Sequence, residues 1–369
     1  YQVGVGGLHS THDQQVYLQA SETMLLSDFD VASYYPNIMM VAGPIPKLGG
    51  SKGKVFPDEY MKIYATRIAA KRAGDKKTAN TLKIVLNGTF GKLGSIYCSF
   101  YSPDLLLAVT LTGQLNLLCL IYDLEKIKGV QVRSANTDGV LVAYPPEARQ
   151  QVLDVFTKNN KRTGFEYEET PYAKYAAKDV NNYLAIGVDG KVKRKGLYGV
   201  SGISEADTPG GKNPTMEVCS NMAIEYLKTG VIDISQHKDM RDFVSVRNVK
   251  GGGIQYDRYV EVDDWELIED HDSAQNVWQN GKGKQVKRKS RPKPYEVGQG
   301  GEPFGRVARW YMTTKDMPPL SYIDSGNRVP KTEGARLCLT LPKELPKDLN
   351  KQWYIDETLS ILADLGVSI

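Results

Sequence analysis

The stretch that decides the fold is residues 25–36, which reads L-L-S-D-F-D-V-A-S-Y-Y-P. Asp28 and Asp30 alternate with Phe29 and Val31, so on a β-strand both carboxylates face one side. Two carboxylates held together repel each other unless something positive lies between them, and a divalent cation is the usual solution. We therefore expect a strand that ends at the acidic pair, immediately before a chain reversal, with a metal site beside it. A turn-forming Asp at a strand end is the competing interpretation.

The composition is that of an ordinary soluble globular chain. Its 369 residues are 41% hydrophobic, and the net charge of +4 is too small to identify a polyanionic partner. We expect no membrane partner, because no apolar run approaches about 18 residues and no signal peptide opens the chain. The four cysteines are far apart and lack C-x-x-C spacing, so they are expected to be core residues. An intracellular protein that is not secreted is the expected class.

Residues 58–92 are predicted to form a basic helical hairpin, with Gly74 and Asp75 as its turn. Asp75 is the single acid within residues 61–92, against many Lys and Arg. One face of the second helix suits a phosphate below a planar base, because it combines a cation, an amide and an aromatic ring at helical spacing. The side chains expected to act on this hairpin are Arg67, Lys71, Lys83, Asn87 and Phe90. A solvated pair of charged helices is the competing interpretation.

A β-hairpin is predicted over residues 130–144, after a long apolar packing helix at residues 105–123. The D-G step favours a plain tight turn, yet Asn136 and Asp138 alternate on one face as the earlier acidic pair does. Two strands that end in Asp, separated by a basic hairpin and a buried helix, suit metal-assisted phosphoryl transfer. In that chemistry carboxylates hold two Mg²⁺ ions about 4 Å apart, and Lys and Arg neutralise a triphosphate.

Three motifs, in the same order, resemble those of the polymerase half of the family B DNA polymerases. Motif A, D-x-x-S-L-Y-P, is matched at residues 30–36, and motif B, K-x-x-x-N-S-x-Y-G, is matched at residues 83–91. Motif C, D-T-D-S, is matched at residues 136–139. Weaker matches are the Gly6-Gly7 pair, which resembles the Y-x-G-G linker before the palm, and residues 181–183, which resemble the K-x-Y motif of the primer-binding sheet.

The departures from these motifs bear on activity. Asn136 replaces the first Asp of motif C and removes one negative charge, which Asp28 is a candidate to restore. Phe90 replaces the Tyr of motif B and keeps the ring without the hydroxyl, while Asn181 replaces the Lys of K-x-Y. The other departures are Gly4 for the Tyr of the linker, Tyr34 for the Leu of motif A and Gly88 for the Ser of motif B.

The resemblance implies an α+β polymerase right-hand fold, with an antiparallel-sheet palm, short helical-hairpin fingers and a C-terminal thumb. The implied boundaries are palm at 1–43 with the GG linker and motif A, fingers at 44–95, palm at 96–204 with motif C and the primer-binding sheet, and thumb and C-terminal region at 205–369. The protein would be phage- or virus-like, working in the host cytoplasm. No exonuclease domain is expected in this chain, so proofreading would lie upstream, on a separate subunit, or nowhere.

The resemblance also implies roles for individual residues. The catalytic pair Asp30 and Asp138 would hold two Mg²⁺, for which Mn²⁺ could substitute, with the backbone of Val31 and the side chain of Asp28 as further metal candidates. The incoming deoxynucleoside triphosphate would be bound by Arg67, Lys71, Lys83, Asn87, Tyr35 and Phe90. Primer–template DNA would be held by Gly6, Gly7, Asn181, Tyr183, Lys193, Lys195 and the basic run Lys287, Arg288 and Lys289.

The implied function is a nucleotidyltransferase of DNA replication, which adds deoxynucleotides to a primer 3′-OH under the direction of a template. The alternative is a polymerase-derived DNA-binding subunit that Asn136 has weakened or silenced. A polymerase that makes RNA is disfavoured, because Tyr35 would crowd a ribose 2′-hydroxyl. Pro36 is expected to hold residue 35 in an extended conformation that aims this ring at the sugar.

Overall fold

In the computed structural model, the described part of the chain is residues 1–4, 6–11, 15–41, 51–199, 216–248, 254–256, 260–261, 285–286, 307–322, 325–338 and 341–369. The chain divides into two compact units, Tyr1–Lys193 and Arg194–Ile369. Both combine helices with antiparallel strands, which confirms the predicted α+β class. The finer division into palm, fingers and thumb, with boundaries at residues 43, 95 and 204, stays a prediction.

The first unit is built on a nine-stranded sheet. Its strands are β1 (Gln2–Val3), β2 (Leu8–His9), β3 (Val16–Gln19), β4 (Leu25–Val31), β5 (Gln131–Asn136), β6 (Gly139–Tyr144), β7 (Tyr167–Asp179), β8 (Asn182–Gly187) and β9 (Val192–Arg194). The order across the sheet is β1-β2-β5-β6-β4-β7-β8-β9. β3 also pairs with β7, past the N-terminal end of β4. β4 is antiparallel to both of its neighbours, so the acidic strand is held on each side by a strand that follows much later in the chain.

The acidic strand is longer than predicted, because it continues through both aspartates to Val31. Its alternation is as predicted: Phe29 and Val31 are buried in the larger core of this unit, together with residues of the neighbouring helices. Leu26 belongs to a second core cluster on the other face, which contains Tyr172, Tyr175 and Tyr183. Period-two burial therefore places the carboxylates of β4 on the face opposite the helices.

The described residues of the first unit also form helices α1 (Tyr34–Val41), α2 (Ser51–Arg72), α3 (Lys76–Lys92), α4 (Pro103–Glu125) and α5 (Arg149–Thr163), with a 3₁₀ turn at Pro146–Ala148. The predicted helical hairpin is confirmed as α2 and α3. Gly74 between them has φ of +76°, a conformation that glycine adopts without strain. Asp75 caps α3, because its carboxylate accepts a hydrogen bond of 3.0 Å from the backbone N–H of Thr78.

Helix α4 confirms the predicted apolar packing helix and corrects the expectation about membrane spans. Among the described residues it is the one helix long and apolar enough to cross a membrane by length and composition. Half of its most apolar stretch is buried inside the protein, so packing accounts for much of its apolar character. Cys119 on this helix is exposed, contrary to the prediction of four core cysteines, whereas Cys219 and Cys338 are buried.

The second unit contains several short ladders. Its strands are β10 (Ser245–Asn248), β11 (Ile254–Tyr256), β12 (Val260–Glu261), β13 (Gln285–Val286), β14 (Val307–Met312), β15 (Leu320–Tyr322) and β16 (Ala335–Leu337). The pairing is β10-β14-β16, β11-β15 and β12-β13. Its helices are α6 (Glu217–Thr229), α7 (Met240–Phe243) and α8 (Lys351–Asp364), with 3₁₀ turns at Gly196–Tyr198 and Ile234–Gln236. Helix α7 has only four residues, because the chain enters β10 directly afterwards.

Tyr354 of α8 is fully buried in the hydrophobic core of the second unit. Its hydroxyl donates a hydrogen bond of 2.8 Å to the carbonyl of Phe243 and accepts one of 2.9 Å from the N–H of Met312. The thiol of Cys219 on α6 contacts the Tyr354 carbonyl at 3.6 Å. These contacts join α8 to α6, α7 and β14.

Candidate functional site

The acidic pair of β4 is bridged by a lysine from β9. The Nζ of Lys193 lies 2.9 Å from Oδ2 of Asp28 and 3.3 Å from Oδ2 of Asp30. The hydroxyl of Tyr172 on β7 donates a further hydrogen bond of 2.9 Å to Asp28. Because one ammonium contacts both carboxylates, their predicted placement on one face is confirmed. The positive group expected between them is supplied by the protein itself.

The two aspartates differ in their environments. Asp28 is 13% exposed and Asp30 is 44% exposed. Burial raises the pKa of Asp28, and the charge of Asp30 raises it further, while Lys193 opposes both effects. Burial acts to lower the pKa of Lys193, but the charges of Asp28 and Asp30 outweigh it and raise this pKa. Asp28 is thus bound to internal partners, whereas Asp30 keeps a carboxylate that solvent and ligands can reach.

The second acidic position lies in a tight turn between β5 and β6. Asn136 pairs with Gly139, which leaves Thr137 and Asp138 as a two-residue loop. Thr137 has φ of +58°, unusual for a β-branched residue, and the φ signs of the loop are those of a type II′ turn. The predicted alternation of Asn136 and Asp138 on one strand face is therefore wrong, because the strand ends before Asp138.

Gly139 allows the two acidic positions to lie together. It is the register partner of Asp30 in the β4–β6 ladder. A Cβ atom at position 139 would collide with Oδ1 of Asp30 and would lie 3.2 Å from the carbonyl oxygen of Phe29. The backbone N–H of Val31 also donates a hydrogen bond of 2.7 Å to the carbonyl of Asp138. Asp30 and Asp138 are thus brought to adjacent backbone positions, with glycine giving the Asp30 carboxylate its space.

The donor set at these positions fits Mg²⁺ better than a softer metal. Asp30 and Asp138 offer carboxylate oxygens; the Asp30 side chain is 44% exposed, and Asp138 is exposed. Within the described ranges, no group of three or more His, Cys, Asp and Glu side chains forms a ready-made metal site. Mg²⁺ is commonly bound through one or two carboxylates together with substrate phosphates and water. Two carboxylates that solvent can reach are compatible with that mode of binding.

Tyr35 is held against the glycine-rich segment and α3. Its ring stacks on Phe90 with 4.4 Å between the ring centroids, and its hydroxyl donates a hydrogen bond to the carbonyl of Gly6. Burial and the charge of Asp138 raise the pKa of Tyr35 to about 12. The expected extended backbone at residue 35 is wrong, since Tyr35 is helical. Pro36 lies in the first turn of α1, where a missing N–H needs no partner.

The cations of the helical hairpin fall into two groups. Arg67 is buried and donates through Nη1 to the hydroxyl of Ser33, while its Nε has no acceptor among the described residues. Lys71 pairs with Glu168, the β7 residue in register with Asp30. Lys83 and Asn87 are exposed on α3. Arg67 and Lys71 therefore contact groups that flank the acidic strand, whereas Lys83 lies further along the hairpin.

Gly7 of the glycine pair lies close to the turn between β5 and β6. A Cβ atom at Gly7 would lie 2.8 Å from Oγ1 of Thr137, and the N–H of Thr137 donates to the carbonyl of Leu8 at 2.8 Å. His9 contacts the same Thr137 hydroxyl at 3.3 Å. The Gly-rich segment therefore packs directly on the turn that carries Asp138.

The remaining predicted DNA-binding residues have different placements. Asn181 lies in the β7–β8 turn and contacts Asn136, while Tyr183 is buried with its ring centroid 5.1 Å from that of Tyr175. Lys193 forms the ion pairs described above, and Lys195 is exposed in the second unit. The basic run Lys287, Arg288 and Lys289 lies outside the described residues.

Sequence reasoning missed two groups that shape this site. These groups are Tyr172 and Lys193. Tyr172 belongs to none of the motifs, and the pairing of Lys193 with Asp28 joins strands that are far apart in the chain. The amide of Asn136 donates a hydrogen bond of 3.1 Å to the carbonyl of Val180, which links β5 to the end of β7 although these strands are not neighbours in the sheet. A local pattern gives no signal for such contacts, because they arise from the curl of the whole sheet.

Comparisons with known proteins give partial similarity to DNA polymerases. No family model matches the chain. DNA polymerase II of Escherichia coli (strain K12) is 31% identical over 87 residues, which are 24% of this chain and 11% of that protein. A structure of the family B DNA polymerase from the hyperthermophilic archaeon Pyrobaculum calidifontis aligns with a TM-score of 0.47 and 14% identity, covering 99% of this chain and 48% of that one. The chain spans about a tenth of the first protein's length and about half of the second's.

Proposed function

We propose that this chain is the polymerase part of a template-directed DNA polymerase, a nucleotidyltransferase that adds deoxynucleotides to a primer 3′-OH. The observation that carries the proposal is that Asp30 and Asp138 occupy adjacent backbone positions, set by the β4–β6 ladder, with Gly139 leaving space for the Asp30 carboxylate. The partial identity with DNA polymerase II of Escherichia coli supports the same class of activity. The attacking hydroxyl belongs to the primer, so no protein nucleophile is required.

Asp30 and Asp138 are the residues proposed to hold two Mg²⁺ ions, and Mn²⁺ could substitute. When bound, the ions would supply stabilisation of the charge that develops on the attacking and leaving oxygens. Asp28 is proposed to support this pair from a more buried position, because its carboxylate is already bound by Lys193 and Tyr172. Lys193 then limits the repulsion between Asp28 and Asp30, and so holds the Asp30 carboxylate in place.

Arg67, Lys71 and Lys83 are proposed to bind the triphosphate. Lys71 pairs with Glu168 in the free protein, and both side chains are about half exposed. An exposed ion pair of this kind is worth about 1 kcal/mol or less, so a phosphate could replace the carboxylate at little cost. Arg67 already lies beside the turn that follows β4, through its contact with Ser33. Asn87 and Lys83, both exposed on α3, would contact the nucleotide from the hairpin side.

Tyr35 is proposed to lie beneath the sugar of the incoming nucleotide and exclude a 2′-hydroxyl. Its ring is fixed from two sides, by stacking on Phe90 and by the hydrogen bond to Gly6. A ring held in this way cannot move aside easily, which steric discrimination requires. Asp138 lies near enough for its charge to raise the pKa of Tyr35, so the ring stands beside the proposed reaction centre.

The sheet of the first unit is proposed as the palm, α2 and α3 as the fingers, and residues 205–369 as the thumb and C-terminal region. Primer–template DNA would be held by the Gly6-Gly7 segment, Asn181 and the cations of the second unit, including Lys195 and residues 287–289. Binding through such cations should weaken steeply as salt rises.

Primer extension tests the proposed function directly. A labelled primer annealed to templates that differ in their first unpaired base is mixed with the chain, Mg²⁺ and each deoxynucleotide in turn. The proposal predicts addition of the complementary nucleotide only, lost on chelation of the metal and restored by Mg²⁺ or Mn²⁺. DNA binding without extension at any metal concentration would contradict it and would identify a polymerase-derived DNA-binding subunit instead.

A further inference from the structure

Two side chains that depart from the family pattern face each other in the structure. Asn136 stands where motif C has its first Asp, and Asn181 stands where the K-x-Y motif has its Lys. The Nδ2 atom of Asn136 lies 3.5 Å from Oδ1 of Asn181. The same amide nitrogen donates a hydrogen bond of 3.1 Å to the carbonyl of Val180. An acid and a base are thus replaced, at two distant places in the chain, by two amides in contact.

Both amides are placed by regular backbone structure. Asn136 is the last residue of β5, paired with Gly139 on one side and His9 on the other. Asn181 lies in the two-residue turn between Asp179 and Asn182, and its N–H donates to the carboxylate of Asp179 at 2.8 Å. The contact therefore joins two hairpin ends, one of which carries Asp138.

The chemistry of this contact favours the neutral pair. An amide nitrogen donates to the Val180 carbonyl and to Asn181, whereas an ionised carboxylate at position 136 would only accept hydrogen bonds. It would then face the fixed backbone oxygen of Val180 with no donor between them, which is repulsive whichever way the Asn181 amide is turned. A lysine at position 181 would remove that conflict by placing an ammonium in the same gap. Two amides are self-consistent, and so is an acid at position 136 with a base at position 181, whereas an acid at position 136 beside an amide is not.

We infer that Asn136 and Asn181 are a matched neutral replacement for an acidic and a basic residue, and that Asn136 is a positioning residue that ties the turn bearing Asp138 to the β7–β8 turn. Asn136 is then not a metal ligand that has been lost, and its amide does not mark a silenced enzyme. The consequence for catalysis rests on the proposed function, whereas the pairing itself does not.

A double-mutant cycle tests the pairing. The four proteins are the parent, Asn136→Asp, Asn181→Lys and the double variant, and the first readout is the melting temperature in low salt. We expect Asn136→Asp to melt about 3 °C lower, Asn181→Lys to melt within about 1 °C of the parent, and the double variant to recover to within about 1 °C. Gln131→Glu combined with Asn181→Lys is the matched control. Gln131 is exposed at the other end of β5, about 17 Å away along the strand, so its charge should show no coupling with Lys at position 181.

The second readout is the Mg²⁺ dependence of primer extension by the same proteins. We expect Asn136→Asp to lose at least about threefold in kcat with the half-saturating Mg²⁺ concentration changed by less than about twofold, and the double variant to regain the rate. A rise in rate and a lower Mg²⁺ requirement in Asn136→Asp, whatever residue stands at 181, would overturn the inference, as would additive melting temperatures. If no protein of the set extends a primer, the proposed function fails, and the melting cycle alone still decides the pairing.

Discussion

Lys193 forms an ion pair with Asp28, with 2.9 Å between Nζ and Oδ2, and its positive charge offsets negative charge on the acidic strand. Asp28 is 13% exposed and Lys193 is 37% exposed, so water screens the pair only in part. Removal of the lysine would leave two neighbouring carboxylates without a cation. Lys193 was predicted to contact DNA, but we therefore expect its main contribution to be to the stability of the site.

Lys193→Met should lower the free energy of unfolding by about 2 kcal/mol, less than a fully buried pair would lose, because Lys193 is partly exposed. Chemical denaturation followed by far-UV circular dichroism measures this change. Asp28→Asn combined with Lys193→Met should recover much of it, because the buried charge is then gone. Lys191→Met is the matched control, since Lys191 pairs with Asp189 at the surface and its loss should have no measurable effect. Unchanged stability with weakened DNA binding in Lys193→Met would favour a direct DNA contact instead.

Gly139→Ala should displace the Asp30 carboxylate, because the new Cβ would occupy its place. We expect about 2 kcal/mol of lost stability from the overpacking and a fall of about 100-fold in the rate of nucleotide addition. Gly88→Ala is the control: a Cβ atom there meets nothing within 4 Å, and the resembling motif carries Ser at that position. That variant should be at least as stable as the parent. An active Gly139→Ala protein would show that the carboxylate need not lie over the turn.

Tyr35→Val should raise ribonucleotide incorporation relative to deoxyribonucleotide incorporation by at least about tenfold, mainly through kcat/KM for the ribonucleotide. The matched control is Tyr35→Phe, which keeps the ring on Phe90 and loses only the hydrogen bond to Gly6. Its discrimination should stay within about threefold of the parent. Single-nucleotide incorporation with matched triphosphates and a melting curve for each variant provide the measurement. A lowered melting temperature with unchanged discrimination in Tyr35→Val would mean that this ring serves only the core.

Asp348 should make the second unit sensitive to acid. Burial acts to raise the pKa of Asp348, but hydrogen bonds from Thr313 and Arg336 and the charge of Arg336 outweigh it and lower this pKa. A carboxyl whose pKa is lower in the folded state contributes stability above its unfolded pKa, about 3.9 for Asp, and loses it as the pH falls through the folded value.

Asp348→Asn should therefore cost about 2 kcal/mol at pH 7, with the difference from the parent shrinking below about pH 4. All four tryptophans lie in the second unit, so urea unfolding followed by tryptophan fluorescence reports on it. A difference that is constant from pH 7 to pH 3 would contradict the assigned direction of the pKa.

The sequence was sufficient where local patterns decide structure. Period-two alternation placed Asp28 and Asp30 on one face of a strand, and the Gly74-Asp75 step correctly separated two helices. The D-G step likewise predicted the hairpin of β5 and β6, although the loop begins one residue earlier, at Thr137. Each of these features depends on a few neighbouring residues, and so it can be recognised without knowledge of the fold.

The sequence was insufficient where distant strands meet. Nothing in the sequence indicates that Lys193, rather than Lys191 or Lys195, pairs with Asp28, and only the position of β9 in the sheet brings it there. The positive φ of Thr137, which moves Asp138 off the strand face, violates the preference of a β-branched residue and is imposed by contacts with Leu8 and Gly7. Tertiary contacts also determine the role of Asn136. In the sequence this residue indicates the loss of a negative charge, whereas in the structure its amide donates a hydrogen bond to the carbonyl of Val180.

The central claim is that Asp30 and Asp138 together perform nucleotide addition, and rapid-quench measurement of a single addition tests it most directly. Asp30→Asn and Asp138→Asn should each slow the step by at least about 10³-fold, about 4 kcal/mol of barrier, while the Kd for primer–template DNA stays within about threefold. Asp154→Asn, which makes the same change of charge at an exposed position on α5, should leave both quantities unchanged. Nucleotide addition at the parent rate in either Asp30→Asn or Asp138→Asn would contradict the account.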